Sequence, residues 1–161
     1  MIHPEQLTRQ VCDLAHETGR FLLNEVTRLK NSDILTKGVH NYVTYVDRES
    51  EKRIVERLQQ LLPGSGFIAE EDNSLSPAAY TWVIDPLDGT TNFIHGVPLY
   101  CISIALMYEK ETVLGVVHEP NLGEMFYTWK GAPSFRNNTP IHVSATPKVR
   151  DSLFATGFPY Y

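Results

Sequence analysis

The sequence predicts an α+β protein in which two long helices pack on a largely antiparallel sheet. Three observations carry that expectation. Apolar residues recur at helical spacing over residues 4–30 and again from Ile54 to Leu62; beyond Pro63-Gly64 the period becomes that of extended chain; and short polar turns join the later extended runs. In the first stretch Leu7, Val11, Leu14, Ala15, Leu22, Val26 and Leu29 fall on one stripe, with Pro4 in the first turn and Asn31-Ser32-Asp33 after its end. Ile34-Leu35 and the β-branched and aromatic stretch Tyr42-Val43-Thr44-Tyr45 follow. A second helix is expected from Thr44, because Asp47 three residues on completes a capping-box pattern; Glu49–Arg53 and Lys52–Glu56 are spaced for i,i+4 pairs on its wet side. Extended runs then come at Phe67-Ile68-Ala69, Thr81 to Ile84, Cys101 to Tyr108, Thr112 to His118 and Glu124 to Trp129. Glu109-Lys110-Glu111 and Pro120 to Gly123 are too short for parallel crossovers, so these neighbours should form an antiparallel meander. Pro133 to Pro140 reads as an irregular loop, and Leu153-Phe154-Ala155-Thr156 as a further strand.

At 161 residues the chain is about one domain. A net charge of −5 without a block of Lys or Arg lacks the basic footprint of a nucleic-acid or anionic-membrane binder, so neither partner is expected and any phosphate must be held locally. Val97 to Tyr108, the longest apolar run, is too short to span a bilayer. The first residues lack a basic region followed by an apolar core. With only Cys12 and Cys101, both in apolar stretches, a disulfide framework is excluded; a cytoplasmic location is expected. His3, His16, His40, His95, His118 and His142 show no zinc-ligand spacing, and each is expected at the surface.

The richest chemistry lies in Asp85-Pro86-Leu87-Asp88-Gly89-Thr90-Thr91-Asn92-Phe93, directly after the apolar run Trp82-Val83-Ile84. Asp-Pro-x-Asp-Gly is by itself good type I turn chemistry. The competing reading draws on Phe67-Ile68-Ala69-Glu70-Glu71-Asp72, a second strand ending in carboxylates. If the two strands are parallel neighbours, Glu70 stands beside Asp85 and Asp88, and all-oxygen donors of that kind favour a hard cation such as Mg²⁺. Gly89-Thr90-Thr91 could then turn backbone N–H groups toward a phosphate. A hydroxyl and a carboxylate to orient water would be Thr90 and Asp47, although capping the second helix also accounts for Asp47.

These residues resemble the signature of the inositol monophosphatase family. The likeness extends to Phe67 to Glu71, to Lys37 followed by Asn41-Tyr42-Val43-Thr44 and Asp47, and to Gly115-Val116-Val117 through Lys130-Gly131-Ala132. The resemblance implies that residues 1–161 form the amino-terminal half of an αβαβα sandwich, the carboxy-terminal domain being absent from the chain. It implies metal bound by Glu70, Asp85, Asp88 and the Leu87 carbonyl, with Mn²⁺ an alternative to Mg²⁺. Phosphate would lie on Asp88, Gly89, Thr90 and Thr91, with Thr90 and Asp47 orienting the attacking water and Glu71 and Lys37 behind them. It further implies a lithium-sensitive, homodimeric phosphatase acting on a small phosphorylated substrate, most simply myo-inositol monophosphate. The sequence departs from the family pattern at Ala69, at Asn41, and in lacking a Trp-Asp motif, since Trp82 and Trp129 precede Val83 and Lys130. The chain is then either the first domain of a longer protein or a half-enzyme with little turnover of its own. Phosphatases of sugar bisphosphates or 3′-phosphonucleotides, and a non-catalytic metal- or phosphate-binding module, are the rival readings.

Overall fold

A computed structural model describes residues 2–30, 34–38, 41–70 and 78–155, with the backbone alone at 36–38, 41 and 42. Helix α1 (Pro4–Glu25) buries Leu7, Val11, Leu14, Ala15 and Leu22, the stripe expected from their spacing. Thr8 and Thr18 are buried on the same helix because their hydroxyls donate to the Pro4 and Leu14 carbonyls at 2.7 and 3.0 Å. The helix ends at Glu25, short of the expected Lys30. Val26 and Leu29 still pack against the core, but from a turn held by Leu29 N–H on the Glu25 carbonyl. The β-branched pair Val26-Thr27, with Thr27 Oγ1 donating to Asn24 O, favours stopping there.

Strands β1 (Ile34–Gly38) and β2 (Asn41–Thr44) pair antiparallel as a separate ribbon. Helix α2 (Tyr45–Leu61) starts where the capping box places it: Thr44 Oγ1 accepts from Val46 N–H at 3.0 Å, and Asp47 Oδ2 accepts from Thr44 N–H at 2.7 Å. Of the two i,i+4 pairs on its outer face, Arg53–Glu49 forms at 2.8 Å, whereas Lys52 makes no ion pair among the described residues.

The main sheet runs β3 (Gly66–Ala69), β4 (Tyr80–Asp88), β5 (Cys101–Tyr108), β6 (Glu111–Glu119), β7 (Glu124–Trp129), β8 (Ser134–Arg136) and β9 (Thr139–Ile141), in that spatial order. Among the described residues only β3 and β4 pair parallel. Helix α1 packs on β5, β6 and β7, and α2 on β4, so both long helices cover one face. Trp82, Ile84, Ile102, Ile104, Leu106, Leu114 and Val116 point into that interface at 3% exposure or less. Each such side chain contributes roughly 1.5–3 kcal/mol of burial. Gly19 lets α1 approach β6 closely: a Cβ there would lie 2.7 Å from the His118 ring.

Several expectations need correction. Residues 133–140 are no irregular loop but hold the β8–β9 hairpin, whose turn residues Asn137 and Asn138 both have positive φ, 47° and 68°. Asparagine tolerates that conformation, and two such residues in succession match the twist of a hairpin. Residues 152–155 form no strand, with Leu153 99% exposed; Thr156 lies outside the described residues. His118 is buried rather than surface-exposed. Its Nδ1 sits 3.1 Å from the Glu124 carbonyl and its ring centroid 5.6 Å from that of His16. Desolvation, with His16 beside it, pushes its pKa down. No helix among the described residues is long and apolar enough to cross a membrane, and both cysteines are free.

Candidate active site

The parallel pairing of β3 with β4 matches Ala69 to Ile84, so Glu70, just past the end of β3, comes level with Asp85 in β4. Strand β4 runs on through Asp88, with a bulge between Asp85 and Asp88 in its pairing with β5. The Asp-Pro-x-Asp segment is therefore bulged strand, not a free-standing type I turn. A bulge re-aims side chains and interrupts the ladder, leaving carbonyls and carboxylates at the sheet end available. Asp85 Oδ1 accepts from Leu87 N–H at 3.2 Å, which fixes the bend.

The crowding has an electrostatic signature. Burial, then Glu70, then Asp88 push the Asp85 carboxyl up to about 7. Carboxylates this close resist joint ionisation unless a cation offsets them. As donors they suit a hard divalent ion. Among the described residues, however, no three His, Cys, Asp or Glu side chains converge as a ready-made cage. The acids are adjacent without being closed around a point.

Gly89 follows with φ 102°, and a Cβ there would lie 3.0 Å from the Leu99 carbonyl and 3.1 Å from Tyr100 Cβ. Backbone conformation and space both demand glycine. It opens α3 (Thr90–Ile94), whose first-turn amides lack intrahelical acceptors by construction. Phe93 anchors the turn in the core, edge-on to Tyr100 at 5.1 Å.

The second half of the site is a long-range hydrogen bond. Thr90 Oγ1 donates to Asp47 Oδ1 at 2.9 Å, joining residues 43 apart, and lies 3.1 Å from the Leu87 carbonyl. One hydroxyl proton serves one acceptor at a time, and a carboxylate is the stronger. Asp47 is 2% exposed, and its other oxygen, Oδ2, takes Thr44 N–H and Thr44 Oγ1, both at 2.7 Å. Capping the helix and holding Thr90 are thus tasks of different oxygens on one carboxylate.

Of the residues singled out in the sequence, the structure brings Asp47 to Thr90, and Glu70 to Asp85, with Leu87, Asp88, Gly89 and Thr91 on the same connection. Glu71 lies outside the described residues, as does the side chain of Lys37. Sequence reasoning missed Cys101, whose Sγ lies 3.7 Å from Asp88 Oδ2. Burial, Asp88 and Asp85 push its thiol up to about 12, so it stays protonated and donates. The register could have found it, since β5 begins directly opposite Asp88.

The model of the inositol monophosphatase family matches residues 3–161. An inositol-1-monophosphatase of Mesorhizobium japonicum is 35% identical over 148 residues, covering 91% of this chain and 56% of that protein. A fructose-1,6-bisphosphatase/inositol-1-monophosphatase of Thermotoga maritima is 35% identical over 144 residues, covering 89% and 56%. Among solved structures, the extragenic suppressor protein suhB of Bartonella henselae superposes with a TM-score of 0.81 at 34% identity, over 86% of this chain and 54% of that one. The chain spans about half the length of the curated relatives it matches. The bulged acidic strand end, the obligatory glycine and the family-wide match converge, and the chain belongs to the inositol monophosphatase family.

Proposed function

We propose that the chain supplies the acid-bearing half of a metal-dependent phosphatase that hydrolyses a small phosphomonoester, myo-inositol monophosphate being the first substrate to test. The observation that carries this reading is the 2.9 Å bond from Thr90 Oγ1 to Asp47 Oδ1. With its proton directed to a carboxylate, the Thr90 oxygen keeps lone pairs free to accept from a water beside the acidic strand end. Thr90 would then orient that water, and Asp47 would take the proton that passes through the hydroxyl as the water oxygen bonds to phosphorus and the ester P–O bond breaks, the departing alkoxide taking a proton from solvent water. Glu70, Asp85, Asp88 and the Leu87 carbonyl are the oxygens that would hold Mg²⁺, or Mn²⁺, whose charge offsets that of the phosphate and acidifies bound water. Phosphate oxygens would be held by the Gly89, Thr90 and Thr91 backbone N–H groups, with Asp88 beside them. Glu71 and Lys37 would support the acids from behind. Lithium sensitivity and a homodimeric state rest on family membership alone; the two free cysteines are in keeping with a reducing, cytoplasmic setting.

A sugar bisphosphate is the second substrate class, supported by the double name of the Thermotoga relative; Thr91-Asn92-Phe93 supports the inositol branch. The test compares phosphate release from inositol monophosphate and fructose bisphosphate by the chain alone and by a fusion carrying the remaining half of the Mesorhizobium relative. Mg²⁺-dependent release by the fusion, abolished by Asp88→Asn, is the expected result. A folded fusion with no turnover of either substrate, yet binding Mg²⁺, would instead make this half a non-catalytic binding module.

A further inference from the structure

A cleft of about 670 Å³ lies away from the acidic strand end, between α1, β1 and the outer face of α2. Its apolar wall holds Leu35 and the ring of Tyr45, two large side chains that stay 49% and 42% exposed. The carboxylates in the cleft are already engaged. Glu49 holds Arg53, whose guanidinium also lies 4.1 Å over the Phe21 ring, and Glu25 takes the Tyr45 hydroxyl and Arg28. Arg48 and Lys52, one helical turn apart on the cleft side of α2, have no carboxylate partner among the described residues. In a chain of net charge −5 this is a local positive spot beside exposed apolar surface.

We propose that this cleft docks an acidic peptide segment of a protein partner, with one bulky apolar residue seated against Leu35 and Tyr45 and flanking carboxylates on Arg48 and Lys52. Charge complementarity chooses the sign of the ligand, and shape chooses its class. A small molecule needs most of its surface enclosed to bind well, whereas Leu35 and Tyr45 stand half open and reward a ligand that continues over the rim. Nucleic acid is disfavoured because affinity there grows with the number of phosphates neutralised, and two unpaired cations beside an apolar wall offer few such contacts.

The test uses fluorescence anisotropy with the full chain and three labelled probes: a short Asp/Glu peptide with one central Phe, the same peptide with Ser in place of Phe, and a single-stranded oligonucleotide. The Phe-containing peptide should bind best. Arg48→Glu with Lys52→Glu should weaken it by about tenfold or more, and Leu35→Ser should erase the advantage of Phe over Ser. All three positions are exposed, and an unchanged circular dichroism spectrum certifies folding. Equal affinity for the oligonucleotide, indifference to the charge reversal, or no binding of the Phe peptide by the folded parent would each overturn the proposal.

Discussion

The two halves of the candidate site differ in how folding treats their charge. Around Asp47 everything is satisfied: Thr44 N–H, Thr44 Oγ1 and Thr90 Oγ1 all donate to its two oxygens. Around Asp85 the neighbours are other acids, and its carboxyl is driven up to about 7. Both are aspartates near chain ends of regular elements, so residue type does not separate them. Their neighbours do. The Asp47 half is completed by the protein's own hydrogen bonds, whereas the Asp85 half stores repulsion that only a proton or a cation relieves.

The largest effect expected from breaking this contrast is kinetic. In the active fusion, Thr90→Ala should lower kcat by about 10²–10⁴-fold, with stability changed by no more than about 1 kcal/mol. Thr90→Ser should restore much of the rate, because the hydroxyl and not the methyl group is needed. A rate within a few-fold of the parent for Thr90→Ala would reduce the Asp47–Thr90 bond to local structure.

Next comes metal affinity. Asp85→Asn should weaken Mg²⁺ binding by about tenfold or more in calorimetric titration, while Asp13→Asn on the exposed face of α1 leaves it unchanged. Equal affinities for the two variants would remove Asp85 from the metal site.

Asp47→Ala should cost about 0.5–2 kcal/mol of stability through the lost cap, by the same amount with and without Mg²⁺. Denaturant midpoints at saturating and zero Mg²⁺ check this. A loss confined to the Mg²⁺ series would place Asp47 with the repulsive half instead.

The smallest effect has the most informative sign. The Asp85 carboxyl lies near 7 in the folded chain and at 3.8 as its ordinary value. Its contribution to stability is therefore fully present below the lower value and is lost as pH rises through the upper one. At pH 8 without metal, Asp85→Asn should melt a few degrees above the parent, at about 2–4 °C per kcal/mol. Added Mg²⁺ should reverse the order by stabilising the parent alone. The same order in both conditions would mean that the carboxylates are not relieved by the ion.

Much of this was legible in the sequence where local chemistry is decisive. The Thr44–Asp47 cap, the Leu7 to Leu22 stripe, and the meander from Cys101 to Trp129 depend on neighbours in the chain or on strict periodicity. Placing Glu70 beside Asp85 needed one further supposition, parallel pairing of β3 and β4, which the register bears out. What escaped notice depends on distant partners. His118 is buried because Gly19, on another element, leaves room for its ring. Cys101 faces Asp88 only through the bulged pairing of β4 with β5. The Asn137-Asn138 turn was missed for a different reason: its signal is local, but flanking prolines at 133 and 140 suggested a loop.

The 43-residue reach of the Thr90–Asp47 bond also bears on the order of folding. The strands from β4 to β9 join neighbour to neighbour through short connections, so their contacts close small loops and are accessible early. The bond from α3 to the start of α2 closes a much longer loop, so it is expected to be a late contact. Late contacts change unfolding more than folding. In stopped-flow chevrons, Thr90→Ala, which removes the long-range bond and leaves the Thr44–Asp47 cap in place, should accordingly raise the unfolding rate while the refolding limb stays near that of the parent. The sheet would then be assembled before the Thr90–Asp47 pair, proposed here to orient water, is joined, so a chain could be folded in nearly every respect and still lack that pair.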